Sequence, residues 1–158
     1  MNRFLSFLAS AALVLSLSVG PAAAMGSSSD ANPAAKANPD YAQGEKLIKA
    51  KDYKGAIPLF EKVTAGDPNN ADAHNYLGYA RRHLGENDRA LGHYQKALAI
   101  NPDHRGANEY LGQLYLILND LPKAEERLAK LDKLCTFGCE EYSELKKAVT
   151  AYKAKKSS

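Results

Sequence analysis

ADAHNYLGYARRHLGENDRALGHYQKALAINPDH, residues 71–104, is the stretch that decides the fold, because its landmarks recur on either side at a spacing of 34 residues. Pro102 answers Pro68, Tyr94 answers Phe60, and the series Gly44/Gly78/Gly112 and Ala56/Ala90/Ala124 keep the same step. A period of this size marks one supersecondary unit copied and stacked, since a single unit cannot bury its own apolar face. The register divides the chain into units 37–70, 71–104 and 105–138. Within each, positions 1–14 predict a first helix, A, and positions from 18 onward a second, B. The polar breaks Lys51-Asp52-Tyr53, Gly85-Glu86-Asn87 and Asn119-Asp120-Leu121 separate them. The expectation is an all-α solenoid of helical hairpins.

Position 8 of each unit is glycine. In mid-helix this costs about 1 kcal/mol against alanine, so three in register predict a close helix approach. The alanines at position 20, Ala56, Ala90 and Ala124, are the expected opposing surface. Two residues depart from the pattern. Arg81 stands at an apolar position, which predicts a packed stem with its guanidinium reaching solvent or a carboxylate. Pro58 lies inside a B helix and predicts the least regular hairpin.

Leu77-Gly78, Ala90, Tyr94, Ala97 and Pro102 resemble the tetratricopeptide repeat. Unit one matches through Gly44, Ala56, Phe60 and Pro68, and unit three through Leu111-Gly112, Tyr115 and Ala124, with Leu128 for the aromatic and Thr136 for the proline. Three repeats over residues 40–136 are followed by Tyr142, Leu145, Val149 and Tyr152 at A-helix spacing, with Lys146 at the glycine position. Residues 139–156 therefore read as a capping helix and basic tail.

The resemblance implies a concave face lined by A-helix positions 2, 5, 9 and 12. On it the expected partner-binding residues are Tyr41, Glu45, Asn75, Tyr79, Arg82, Glu109 and Gln113. Rings offer contact area at low entropy cost and amides reach a peptide backbone, so the implied partner is a polypeptide. Some members hold chaperone C-termini through a clamp of Lys, Asn and Arg. Here Tyr41, Glu45, Tyr76, Gly106 and Tyr110 occupy those places, so that clamp is absent.

The N-terminus reads differently. Arg3, the apolar run Phe4 to Val19 and Ala22-Ala23-Ala24 have the make-up of a cleaved signal peptide, residues 1–24, with Met25 starting the mature chain. No cysteine precedes Cys135, which excludes a lipoprotein site. Residues 25–39 hold few large apolar groups and read as a flexible linker. The expected location is the periplasm or the medium, without stable membrane insertion after cleavage, and with a role in envelope protein assembly. A net charge of +3 makes no case for nucleic acid. The lysines at 146, 147, 153, 155 and 156 read as a solvated helix end that suits the helix dipole.

Cys135 and Cys139 are the remaining chemical feature. In an oxidising compartment two close cysteines are most simply a disulfide that staples the cap. The alternative is a metal- or thiol-redox-linked protein using the same pair. The segment Cys135 to Tyr142 also resembles the C-terminal part of exported proteobacterial repeat proteins. No phosphate loop, nucleophile elbow or zinc-protease helix is present. His74 reads as a packed ring at position 4. His83, His93 and His104 fall at positions 13, 23 and 34, without the shared face a metal site needs. The expectation is a binding protein, not an enzyme, with no cofactor and no metal.

Overall fold

The computed structural model describes residues 38–157. The signal peptide expected at 1–24, and the linker up to residue 37, lie outside the described residues. Those described form seven helices and no strand: α1 (Pro39–Lys49), α2 (Tyr53–Gly66), α3 (Ala71–His83), α4 (Asn87–Ile100), α5 (Arg105–Ile117), α6 (Leu121–Leu134) and α7 (Glu140–Lys156). They pair as three hairpins, α1/α2, α3/α4 and α5/α6, and α7 packs on both α5 and α6.

Local chemistry sets the boundaries. Asn38 Oδ1 accepts from the backbone N–H groups of Asp40 and Tyr41, Asp52 caps α2 through Gly55, Asn70 caps α3 through Ala73, and Asp120 caps α6 through Lys123. Each satisfies a donor that the first helical turn leaves unpaired. His104 does the same for α5, its Nδ1 accepting from Ala107 N–H at 3.2 Å. That places the ring proton on Nε2, which donates to Asp72 Oδ1 at 3.0 Å. One buried imidazole thus caps a helix and ties the third repeat to the second. At the other end of each hairpin, position 15 is left-handed in all three units: Lys51 (φ 59), Gly85 (φ 78) and Asn119 (φ 60). Only Gly85 adopts that conformation without steric cost.

The position-8 glycines do mark close approach, but their neighbours differ from the expectation. A Cβ on Gly44 would sit 2.8 Å from Phe60 Cζ, and one on Gly78 would sit 2.6 Å from Tyr94 Cε1. The opposing group is the position-24 ring, not Ala56, Ala90 or Ala124, although those alanines are fully buried. A flat ring reaches the helix backbone only where no side chain intervenes. In the third repeat Leu128 replaces the ring, and the space over Gly112 is taken by Leu145 of α7, 2.5 Å from a notional Cβ. The cap is thereby keyed into the last hairpin.

Arg81 behaves as expected. Its side chain is buried, and its guanidinium donates to Glu61 Oε1 and Glu86 Oε2, both at 2.6 Å. The hydrogen bond from Arg81 is the main reason the Glu86 carboxyl is held below its ordinary value. Pro58 does not interrupt α2, which runs 14 residues like α4 and α6.

Gly78→Ala is expected to destabilise the protein by roughly 1–3 kcal/mol, because the added methyl meets the Tyr94 ring. Gly92, equally helical but with open space around it, is the control: Gly92→Ala should stabilise by about 0.5–1 kcal/mol. Urea melts of the two variants check the contrast, and equal signs would remove the close-approach account.

Candidate functional site

The first helices of the hairpins, α1, α3 and α5, with α7 as a fourth, present their register positions to one side of the array. Burial sorts the expected contact residues by position. Those at position 5 are closed off: Tyr41, Asn75 and Glu109 are 1 %, 6 % and 7 % exposed. Those at position 9, Glu45, Tyr79 and Gln113, are half-exposed, as is Arg82 at position 12. Tyr41 is therefore a core residue, set edge-on to Phe60 and Tyr76 at 5.6 and 5.8 Å, and it offers no surface to a partner. Position 5 of one A helix faces the next A helix, which is why it closes.

The open line has its own internal bonds. Glu45 Oε1 accepts from the Tyr76 hydroxyl at 2.9 Å, and Gln113 Nε2 donates to Glu109 Oε1 at 2.7 Å. At the centre, Tyr79 stands against Tyr53, His83 and Tyr110, with ring centroids 6.0, 4.4 and 4.9 Å away. The Arg82 guanidinium lies over two of these rings, 5.5 Å from the centroid of Tyr79 and 5.7 Å from that of Tyr110. Its Nε donates to the Tyr94 hydroxyl at 3.4 Å. Cation–π contact and this bond hold the charged head in place while it remains half-exposed. Tyr53, His83 and Tyr110 were not expected here. Each lies outside positions 2, 5, 9 and 12: His83 meets Tyr79 one turn along α3, whereas the packing of successive hairpins brings Tyr53 and Tyr110 to it.

Glu109 is the electrostatic anomaly of the site. Burial pushes its carboxyl up to about 8, and the charges of Glu141, Glu144 and Glu140 add to the effect, with Arg82 opposing it. The neighbouring Asn75 Oδ1 is buried with no hydrogen-bond partner. Gly106 admits this amide: a Cβ there would lie 3.3 Å from Asn75 Nδ2.

The sequence reading sets His74 apart from His83, His93 and His104. His74 and His93 do share a face, with Nδ1 atoms 3.4 Å apart across the α3/α4 hairpin. No signal in the register pairs them, because the Gly78–Tyr94 contact that sets His93 beside α3 is decided only when the hairpin packs. Among the described residues no group of three or more His, Cys, Asp or Glu is placed to enclose a metal ion.

Cys135 and Cys139 form a disulfide, with Cα atoms 5.5 Å apart. Cys135 terminates α6 and Cys139 precedes α7, where its Sγ accepts from Tyr142 N–H at 3.4 Å. The bond joins the last hairpin to the cap through a loop turned by Gly138 (φ 84). Oxidised cysteines offer no thiolate to a metal. Phe137, inside this small ring, is fully exposed.

Two profiles of the Tetratricopeptide repeat family match, over residues 41–105 and 81–148. The chain is a tetratricopeptide-repeat protein. It is 32 % identical over 115 residues to Tetratricopeptide repeat protein 1 of Schizosaccharomyces pombe, a match covering 66 % of this chain and 11 % of that protein. Tetratricopeptide repeat protein 37 of Xenopus laevis is 34 % identical over 90 residues, covering 53 % of this chain and 6 % of the relative. The chain thus spans about a tenth or less of the curated relatives named here.

Among solved structures, the first repeat domain of human RPAP3 superposes with a TM-score of 0.64 at 25 % identity, covering 74 % of this chain and 92 % of that one. The Yersinia enterocolitica type III secretion translocator chaperone SycD superposes with a TM-score of 0.68 at 19 % identity, covering 75 % and 84 %. The first such domain of Spaghetti (RPAP3), solved bound to the HSP90 peptide SRMEEVD, gives 0.62 at 24 %, covering 70 % and 87 %. The two likenesses below 25 % identity speak for the repeat fold alone.

The raised Glu109 value has a pH consequence. The folded state binds this proton more tightly than the unfolded one, so its contribution is complete below the ordinary carboxylate range and is lost as pH rises from there to about 8. Wild-type protein should therefore lose roughly 2–4 kcal/mol more between pH 5 and pH 8 than Glu109→Gln, read from denaturant midpoints at the two pH values. Parallel losses would show the carboxyl to be unperturbed. The double substitution Cys135→Ser with Cys139→Ser should cost about 2 kcal/mol by loop-closure entropy. Hydrogen exchange should rise in α7 more than in α1 to α4.

Proposed function

We propose that this protein is an exported scaffold that holds an extended segment of a partner polypeptide against its concave face, in the assembly of envelope proteins, and that it performs no catalysis. The observation that carries the reading is the pinned Arg82. An arginine held over Tyr79 and Tyr110 on the middle A helix, half-exposed and flanked by a repeat on each side, is a preorganised anchor. Rings and arginine are the residue types that most often dominate binding energy. Glu45 and Gln113 extend the same line to either side, so an extended chain crossing the helices meets one position-9 side chain per repeat.

The residues that would bind a chaperone C-terminus are replaced here, so the favoured segment is not of that kind. Export is supported by the composition of residues 1–24 and by the Cys135–Cys139 disulfide, which persists in oxidising compartments. No helix among the described residues is long and apolar enough to cross a membrane. The disulfide serves the cap in this reading, and thiol redox chemistry is not its role.

Tyr79→Ala and Arg82→Ala are each expected to weaken capture by about 1–3 kcal/mol while leaving the circular-dichroism spectrum unchanged. The partner segment is first isolated by crosslinking to the immobilised protein, then titrated as a synthetic peptide against both variants. Wild-type affinity in both would move the binding surface off α3.

A further inference from the structure

We infer that His74 and His93 form a two-histidine site for a late transition-metal dication such as Zn²⁺, which on binding clips α3 to α4. The two Nδ1 atoms are 3.4 Å apart. As an N–H···N hydrogen bond, with His93 the donor, it is a long one beside the usual roughly 2.7–3.2 Å. It matches the separation of about 3.3–3.4 Å that tetrahedral geometry imposes on two nitrogens each about 2.0–2.1 Å from zinc. The rings are nearly parallel, 28° apart, with centroids at 5.7 Å, and both are half-exposed.

The tautomer of His74 is set for ligation. Its Nε2 lies 3.1 Å from the Pro68 carbonyl oxygen. A carbonyl only accepts, so Nε2 carries the proton and Nδ1 keeps its lone pair toward His93. A ring N–H donated to a backbone carbonyl is the support that metal-bound histidines usually have. His93 Nδ1 makes no other hydrogen bond, so it is free to present its own lone pair once its proton resides on Nε2.

The surroundings keep both rings in the form a metal needs. Burial first, then Lys96, lowers His74, with the Pro68 hydrogen bond and Asp67 opposing. Burial, Arg81 and the partner histidine lower His93 to about 4. Imidazoles that stay neutral bind a cation without releasing a proton to solvent, so His93 has only to move its own proton from Nδ1 to Nε2. The same cations, Arg81 and Lys96, oppose a dication, and Asp67 favours one. No third protein ligand closes the set among the described residues, so two coordination positions are left to water. The site is an open one, of the kind that takes metal reversibly and tightens the hairpin as it does so.

The test is calorimetric titration of ZnCl₂ into EDTA-stripped, dialysed protein with its disulfide intact, alongside His74→Asn and His93→Asn. One zinc per chain is expected for wild type. Each variant should bind about tenfold more weakly or worse, since even a second-shell partner is worth that much. Long-range ¹⁵N–¹H spectra should show the imidazole signals of His74 and His93 shifting at Nδ1, while those of His83 and His104 hold still. Zinc should also raise the melting temperature of wild type and not that of His93→Asn, a variant that keeps the His74–Pro68 bond. No binding by wild type, undiminished binding by both variants, or shifts confined to His83 or His104 would overturn the assignment.

Discussion

The array depends on a missing atom. Without a Cβ at position 8, the Phe60 ring can rest on the backbone of α1 and the Tyr94 ring on that of α3. Each of the first two hairpins then closes around a fully buried ring, and the next hairpin packs against it. The arrangement is self-consistent along the chain, because the residues that fill one hairpin also set the distance to its neighbour. Where the ring is absent, in the third repeat, the leucine of the following helix moves into the same space. At the corresponding position of α7 stands Lys146 in place of a glycine.

That stacking decides what the concave side can show. Successive A helices touch through position 5, so Tyr41, Asn75 and Glu109 become part of the seam, and position 9 becomes the exposed line. The seam is polar at its C-terminal end, where Glu109 is buried near the acidic first turn of α7 and is driven toward its neutral form. Closing off a carboxyl in this way costs desolvation, which Glu109 meets by holding its proton. Arg82 sits beside this region and partly offsets its charge, so its two roles, over the tyrosines and near Glu109, share one guanidinium.

The repeats are joined by more than apolar contact. Arg81 bridges Glu61 of the first hairpin and Glu86 of the second, and the His104 imidazole links Asp72 to the start of α5. These directed bonds fix the rotation of each unit on the last, which apolar packing leaves less constrained. At the end of the stack, the disulfide and Leu145 do the equivalent work for α7, and the loop they anchor leaves Phe137 in solvent.

Much of this was legible in the residues themselves. Recurrence at 34 residues, the turn chemistry and the A-helix spacing at Tyr142, Leu145, Val149 and Tyr152 placed all seven helices. They are local or periodic signals, carried by backbone preference and by which residues a helix can stack on one face. The close cysteines, too, pointed to the bond that forms. What lay beyond reach were facts about pairs distant in the chain. That Gly78 meets Tyr94 and not Ala90, that Tyr41 is core, that Tyr110 joins Arg82 and Tyr79, and that His74 finds His93 all depend on the rotation of one helix about another. A repeat period fixes which positions are equivalent, but the side chains that share a contact are decided only when hairpins pack, because small rotations change which residues meet.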